Sequence, residues 1–141
     1  MQTFLPYPDF YESARVLDKV RLPNQRRECL SILTSIREKK GWFKHPATQM
    51  WIGYEAALRM YTNAIVLEFV RRGGRNKVEL FPKVECKMPW WMGHDAFHAS
   101  HRSNLLRKDS EWYGKFGWEE EDDLPYVWPG PQGTFRLGPT R

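Results

Sequence analysis

The sequence predicts an all-α fold, a single compact domain of three main helices with an extended N-terminal arm and an irregular C-terminal tail. Three observations predict it. The chain has 141 residues, the length of one domain. Apolar residues recur at steps of three or four over long segments, as on the buried face of a helix. Alternating apolar and polar runs, the pattern of a half-buried strand, are scarce.

The N-terminal third predicts an arm followed by two helical segments. Residues 1–9 are expected to be extended because Pro6 and Pro8 disfavour helix. A first helical stretch follows over 13–20. Pro23 either kinks that stretch or starts the next helix, whose apolar stripe runs on towards a stop at Gly41.

The rest of the chain predicts two further helices. Pro46 suits the first turn of one long helix, whose apolar positions continue to Phe69 before the Gly73-Gly74 pair ends it. Asp95 is expected to cap a third helix that runs to about Lys108. The connector between them, "RNKVELFPKVECKMP", is a candidate for one short strand, and the Gly- and Pro-rich last 12 or so residues are expected to be irregular.

Composition indicates an anionic partner. The net charge is +5, and the chain carries seven Trp, six Tyr and eight Phe. Excess positive charge favours nucleic acid, and part-exposed aromatic rings can stack on bases. The start lacks the basic and apolar regions of a signal peptide, and no apolar run approaches the length of a membrane span. We therefore expect a cytoplasmic monomer without membrane contact, disulfide framework or cofactor.

The segment "RLPNQRREC" holds the first candidate for chemistry. Asp18, Arg21, Gln25 and Glu28 are spaced 3, 4 and 3, so they share one face if the helix continues through Pro23. That face becomes apolar further along, which places Glu28 where a polar face meets the core. Such a carboxylate can act as an acid/base group. The spacing alone nevertheless favours a surface stripe of weak salt bridges.

The third helix holds a second candidate. His94, His98 and His101 lie at i, i+4 and i+7 and could together hold zinc. No cysteine or carboxylate at a familiar metal spacing supports that interpretation, so helix capping or buried histidines are favoured and no metal is predicted. The polar residues of this helix are also donors for phosphate oxygens, or else a solvated face: Ser100, His101, Arg102, Ser103, Asn104, Arg107 and Lys108.

Two aromatic segments could contact bases. "EWYGKFGW" places aromatic rings around Lys115, and "PWWMG" adds Trp90 and Trp91. Aromatic rings mixed with cations fit base stacking beside a phosphate track. Most of these tryptophans are expected to be core anchors instead. The chain has no Gly-rich phosphate loop, and Cys29 lacks a local nucleophile signature.

Three segments, in order, resemble the pyrimidine-dimer DNA glycosylase family of the phage endonuclease V type. They are "RLPNQRREC", "HPATQMWIGYEAALRMYTNAIVLEFVRRG" and "HDAFHASHRSNLLRKDSEWYGKFG". The closer resemblance is to a bacterial branch with an "MQTFLPYPDF" start and an "LPYVWP" end. It implies a single domain over residues 1–141, whose N-terminal arm threads between three helices to the active site.

The resemblance also implies a chemistry. A free α-amine attacks the sugar C1′, displaces the base and forms an imine, while a glutamate assists this step and the strand cleavage that follows. The glutamate falls on Glu28 and the arginine before it on Arg27. The family begins with threonine after methionine removal, whereas this chain has Met1-Gln2-Thr3, so the amine is expected to be that of Met1. Ser31 stands where the family places an arginine.

The sequence thus predicts a DNA glycosylase with AP-lyase activity on damaged double-stranded DNA. Two alternatives stay open: a non-catalytic DNA-binding module of the same fold, and an N-glycosidase acting on a non-dimer base or nucleotide. The predicted catalytic residues are Met1, Arg27 and Glu28. The predicted DNA-binding residues are Arg21, Gln25, Arg26, His98, His101, Arg102, Asn104, Arg107, Lys108, Trp112, Tyr113 and Lys115.

Overall fold

A computed structural model describes residues 1–75, 79–130 and 133–138. This part of the chain contains six α-helices, two short 3-10 turns and a two-stranded antiparallel sheet. The helices are α1 (Phe10–Val16), α2 (Arg21–Glu38), α3 (Pro46–Gln49), α4 (Glu55–Arg71), α5 (Asp95–Lys108) and α6 (Ser110–Tyr113). The 3-10 turns are Gly41–Lys44 and Gly114–Phe116, and the strands are β1 (Val127–Pro129) and β2 (Phe135–Leu137).

The helical prediction is right in outline but not in detail. The three longest helices are α2, α4 and α5, yet three shorter helices accompany them, so "three main helices" is not exact. The tail is not wholly irregular, because β1 and β2 pair with Val127 opposite Leu137. The short strand expected over 75–89 does not occur in residues 79–89, and residues 76–78 lie outside the described part.

The long middle helix is interrupted. Helix α3 ends at Gln49, and α4 begins at Glu55 after a turn. Gly53 lies in this turn at φ +87°, a conformation that favours glycine. Its N–H donates to the Glu55 carboxylate over 3.1 Å, which anchors the new helix start. A periodic apolar pattern cannot reveal such a break, since Trp51 inside the turn is as buried as a helical core residue.

The other helix boundaries shift by a few residues. Helix α2 starts at Arg21, and Pro23 lies in its first turn, where a missing N–H costs nothing. It ends at Glu38, before the expected stop at Gly41, with Lys39 in the left-handed conformation. Asp95 is the first helical residue of α5 rather than its cap.

The core forms where α4 packs against α1 and α2. Leu17, Leu22 and Leu58 are fully buried there, and burial of each such side chain contributes about 1.5–3 kcal/mol. The rings of Trp51 and Trp91 meet edge to face at 4.9 Å. Trp91 is thus a core anchor, as expected of most of the tryptophans.

The N-terminal arm is extended and runs through the interior of this helical assembly. An extended segment without a neighbouring strand must find other partners for its buried peptide groups. Gln25 of α2 supplies two: its amide donates to the Gln2 carbonyl at 2.9 Å and accepts from the Phe4 N–H at 2.7 Å. The Tyr61 hydroxyl of α4 donates to the Phe4 carbonyl.

Helix α5 holds the next two residues of the arm. The Leu5 N–H donates to His101 Nδ1 at 2.8 Å, and the Leu5 carbonyl accepts from His98 Nδ1 at 2.7 Å. His98 Nε2 accepts from the Gly93 N–H, so each imidazole is neutral with one fixed tautomer. Arg102 donates to the Pro6 carbonyl at 2.8 Å. The arm is therefore fixed by side chains from α2, α4 and α5.

The two histidines predict a pH-dependent stability. Burial lowers the pKa of both, that of His101 to about 3. Below about pH 6.5 the histidines bind protons in the unfolded chain but stay neutral in the native protein. The free energy of unfolding therefore falls as the pH falls, by up to about 1.4 kcal/mol per pH unit for each histidine. Urea unfolding at about pH 7 and about pH 5 measures this.

The control is His101→Gln, which keeps a hydrogen-bond acceptor but cannot titrate. Its unfolding free energy should depend less steeply on pH than that of the wild type. An unchanged slope would show that His101 does not carry the effect.

Candidate active-site cleft

A cleft of about 500 Å³ opens where the start of the arm meets α2. Its walls come from four parts of the fold: the arm, α2, the start of α3, and the C-terminal segments. The lining residues are Met1, Gln2, Phe4, Arg21, Asn24, Gln25, Glu28, His45, Pro46, Lys108, Tyr126 and Trp128.

Glu28 reaches the cleft from the edge of the buried face of α2. Cys29 and Ile32 lie in the core, whereas Glu28 is only partly buried. The 100° turn per residue places Arg21 and Asn24 on the same side of the helix as Glu28. The carboxylate thus shares the cleft with the cation Arg21 and the amide of Asn24.

Arg21 is held in place by an ion pair. It contacts Asp18 at 3.2 Å, and the Tyr113 hydroxyl donates to the same carboxylate at 2.5 Å. Burial acts against ionisation of Asp18, but the hydrogen bonds from Tyr113 and Arg21 outweigh it and lower the pKa of Asp18. A charged Asp18 therefore positions the guanidinium at the wall of the cleft.

Met1 immediately precedes the part of the arm that side chains hold in place. Thr3 accepts a hydrogen bond from the buried indole of Trp51 at 3.0 Å, and Gln25 holds the residues on either side. The Met1 side chain packs against Thr48, whose hydroxyl lies 3.8 Å from the sulfur. These contacts bring Met1 to the cleft that Glu28 also lines.

His45 stands beside the start of the chain. It caps α3, since its Nδ1 accepts the Ala47 N–H at 3.0 Å, which leaves the ring proton on Nε2. Burial, and then the positive α-amino group of Met1, lower the pKa of His45. The cleft therefore offers a neutral imidazole whose free nitrogen is a hydrogen-bond donor.

The C-terminal hairpin supplies an aromatic wall. Tyr126 and Trp128 lie 5.5 Å apart, and the edge of Trp128 meets His45 at 5.9 Å. Gly138 packs on the indole so closely that a Cβ there would lie 2.3 Å from its nitrogen. Both rings are largely buried, and the parts of them that remain open line one side of the cleft.

Positive charge collects at the cleft. Arg21 and Lys108 both line it, and Arg107 lies nearby. Partial burial, together with the fields of Arg21 and Arg107, lowers the pKa of Lys108. Like charges held together in this way favour an anion between them, and phosphate is the anion that nucleic acids offer.

A second, smaller cavity adjoins the cleft. Its volume is about 370 Å³, and it shares Met1, Asn24 and Glu28 with the cleft. Arg27, Ser31 and Trp42 complete its lining. Arg27 donates to Asn24, so its guanidinium stays near this cavity.

The structure thus brings Met1, Arg27 and Glu28 together around two joined cavities, with Arg21 and Lys108 beside them. Gln25 lines the cleft but is buried, and its amide binds the arm. Arg26 lies on the opposite side of α2 from Glu28 and lines neither cavity, because two residues along a helix rotate the side chain by about 200°.

The other predicted DNA-binding residues make contacts within the protein. His98, His101 and Arg102 hold the arm, and Arg102 also pairs with Glu120 at 2.9 Å. Asn104 is buried and donates to the carbonyls of Ser100 and Leu124. Their binding to DNA stays a prediction.

The aromatic segment after α5 lies away from the cleft lining. Trp112 donates to the Val16 carbonyl at 2.7 Å, and Lys115 lies over its ring at 3.5 Å. Tyr113 is fully buried on Asp18. These residues pack the C-terminal helices onto the end of α1, and nothing in the described contacts aims them at the two cavities.

The described residues show no metal cluster, and the thiol of Cys29 is not suited to nucleophilic attack. No group of three or more His, Cys, Asp or Glu side chains there is arranged to hold a metal ion. Cys29 is fully buried, and burial raises the pKa of its thiol to about 12. The chemical groups that the cleft offers are the amine, the carboxylate, the imidazole and the cations.

Sequence reasoning missed several residues around the cavities: Asn24, Trp42, His45, Tyr126 and Trp128. A signal existed for Tyr126 and Trp128, because the segment "YVWPG" followed by a second apolar run is typical of a hairpin. His45 directly before Pro46 fits a helix cap. The exposure of Trp42 has no signal in a single sequence.

The comparisons place the chain in a family. The model of the pyrimidine dimer DNA glycosylase family matches residues 1–81, more than half of the chain, and the chain belongs to that family. The match includes Met1, Arg27 and Glu28, whereas Lys108, Tyr126 and Trp128 lie beyond it. No curated protein and no solved structure matches the chain. No helix in the described residues is long and apolar enough to cross a membrane.

The double hydrogen bond of Gln25 predicts a strong effect of its removal. Gln25→Ala leaves the Phe4 N–H and the Gln2 carbonyl unpaired, at about 1–3 kcal/mol for each buried group. We expect a lower urea midpoint and faster amide exchange over residues 2–5. The exposed Gln49→Ala serves as the control. Exchange as slow as in the wild type would show that Gln25 does not hold the arm.

Proposed function

We propose that this protein is a DNA glycosylase with associated AP-lyase activity, which removes pyrimidine dimers or another altered base from double-stranded DNA. One observation carries the proposal: Met1 and Glu28 line the same cleft, and cations that suit phosphate line it with them. Membership of the pyrimidine dimer DNA glycosylase family supports the same reaction class.

In the first step the α-amine of Met1 attacks C1′ of the damaged nucleotide. The bond to the base breaks and the base leaves with a proton. The C1′–O4′ bond then opens, O4′ takes up a second proton, and the nitrogen, which has lost both protons, forms an imine with C1′. Glu28 stabilises the positive charge that develops on the sugar and assists proton transfer. The reaction requires the carboxylate and the amine to reach the same sugar. Met1 and Glu28 both line the cleft and the adjoining cavity.

In the second step Glu28 removes a proton from C2′. The electrons shift towards the imine, the 3′ phosphate leaves, and the strand is cut. Because C2′ is bonded to C1′, one carboxylate can serve both steps without a change of site. The Nε2–H of His45 stands beside the amine and can donate to an oxygen of the sugar or phosphate.

Cations recognise the DNA phosphates, and aromatic rings recognise the altered base. Arg21 and Lys108 contact phosphates beside the attacked nucleotide, and Arg27 contacts the backbone on the side of the second cavity. The aromatic wall of Tyr126 and Trp128 receives the altered base when it leaves the stack. Extrusion is easiest where stacking is already weak, which favours damaged positions. The protein acts on duplex DNA as a monomer.

The central experiment is borohydride trapping on duplexes that carry dimers or other altered bases. The wild type should give a covalent complex and a strand break. Glu28→Gln should lose about 10²–10⁴-fold in rate, the usual contribution of a positioned acid/base. The matched control is Glu38→Gln, an exposed carboxylate at the far end of α2. Equal losses in both variants, or none in either, would contradict the role of Glu28.

Modification of the chain start tests the nucleophile separately. Acetylation of the Met1 amine, or an extension of two residues ahead of it, should abolish trapping because the amine is blocked or displaced. DNA binding should persist, since the cations are untouched. A modified protein that still forms the complex would show that another amine attacks.

The phosphate contacts predict a salt-dependent affinity. Lys108→Gln should weaken binding to duplexes of any sequence and reduce the slope of log affinity against log salt by about one. Lys83→Gln, which removes an exposed cation outside both cavities, is the control. Fluorescence anisotropy over a salt series measures both. Identical slopes for the two variants would show that Lys108 does not contact DNA phosphates.

A further inference from the structure

Trp42 is the most exposed of the seven tryptophans, with 55% of its surface open to solvent. Trp51 and Trp91 are fully buried, and Trp128 is nearly so. One exposed aromatic ring on a protein surface needs no special explanation. This ring is notable because it lies beside the cavity that Met1 and Glu28 line.

The ring stands at the edge of the second cavity. Trp42 lies in the 3-10 turn Gly41–Lys44 and lines the cavity that also contacts Met1 and Glu28. It lines a further cavity of about 400 Å³ along α2, so the ring separates the two depressions. Its edge packs on His45, with ring centres 5.9 Å apart.

The surroundings of the ring are basic. Lys39, Lys40 and Lys44 are exposed within three residues of Trp42, and Arg37 precedes them. Arg27 faces the same cavity from α2. Aromatic rings set among cations are the usual platform for unpaired or unstacked bases beside a phosphate track.

From these observations we propose that Trp42 stacks on a base of the duplex next to the attacked nucleotide and fills the gap that this nucleotide leaves. The inference rests on the proposed function and adds a base-contacting residue to it. When C1′ moves to the amine, the neighbouring base pair loses its stacking partner. An indole that shares a cavity with Met1 and Glu28 stands within about one nucleotide of that gap.

The ring is available for this role because it does little for folding. A side chain that is more than half exposed contributes little to the core, so its truncation should leave stability nearly unchanged. A loss of DNA recognition in Trp42→Ala therefore cannot be ascribed to unfolding. Equal urea midpoints for the variant and the wild type check this.

The test compares two duplexes of one sequence, one intact and one with a single tetrahydrofuran abasic analogue. The analogue leaves a gap in the stack and cannot form the imine, so binding is measured without reaction. The wild type should prefer the gapped duplex. Trp42→Ala should reduce this preference about tenfold, the loss of one base–aromatic stack, and keep its affinity for intact duplex. Trp42→Phe should retain most of the preference.

Tyr11→Ala is the matched control, because Tyr11 is equally exposed at 53% but lies on α1 and lines neither cavity. Its preference should equal that of the wild type. A Trp42→Ala protein that keeps the full preference overturns the inference, as does a wild type that binds both duplexes alike. A preference that depends on Trp42, in a protein that never traps an imine, upholds the stacking role and refutes the glycosylase reaction.

Discussion

The structure depends on how the backbone N–H and C=O groups of an extended arm find hydrogen-bond partners inside a helical domain. Helices use their own backbone groups, so the arm can bond only to side chains. The side chains of Gln25, Tyr61, His98, His101 and Arg102 form hydrogen bonds with six backbone groups of residues 2–6. Because these partners come from three helices, the arm can take its place only when α2, α4 and α5 are packed. The position of Met1 is thus a product of the whole core.

This arrangement explains why polar residues cluster on the inner faces of α2 and α5. From the sequence they suggested a DNA-binding surface, since glutamine, histidine and arginine are all phosphate donors. In the structure they hold the segment that ends at the cleft. Among the predicted DNA-binding cations, Arg21 and Lys108 line the cleft itself. Positive charge is thereby concentrated beside the proposed nucleophile and carboxylate.

The sequence was informative wherever local pattern decides the outcome. The spacing around Glu28 anticipated its place at the edge of a buried face. Apolar periodicity indicated α2 and the helical stretch that contains α4, and the helix-start signal at Asp95 indicated α5. It could not anticipate the break at Gly53, because Trp51 and Tyr54 keep an apolar pattern through a turn. It also could not show that His98 and His101 bind Leu5, since that pairing joins residues more than ninety positions apart.

The cleft unites residues from both ends of the chain: Met1 and Glu28 within the family match, and Tyr126 and Trp128 beyond it. The most direct measurement is peptide mapping by mass spectrometry of the borohydride-trapped complex, which locates the DNA remnant on the protein. One adduct is expected, on the α-amine of Met1. An adduct on a lysine such as Lys108 would contradict it, because the arm would then hold no nucleophile.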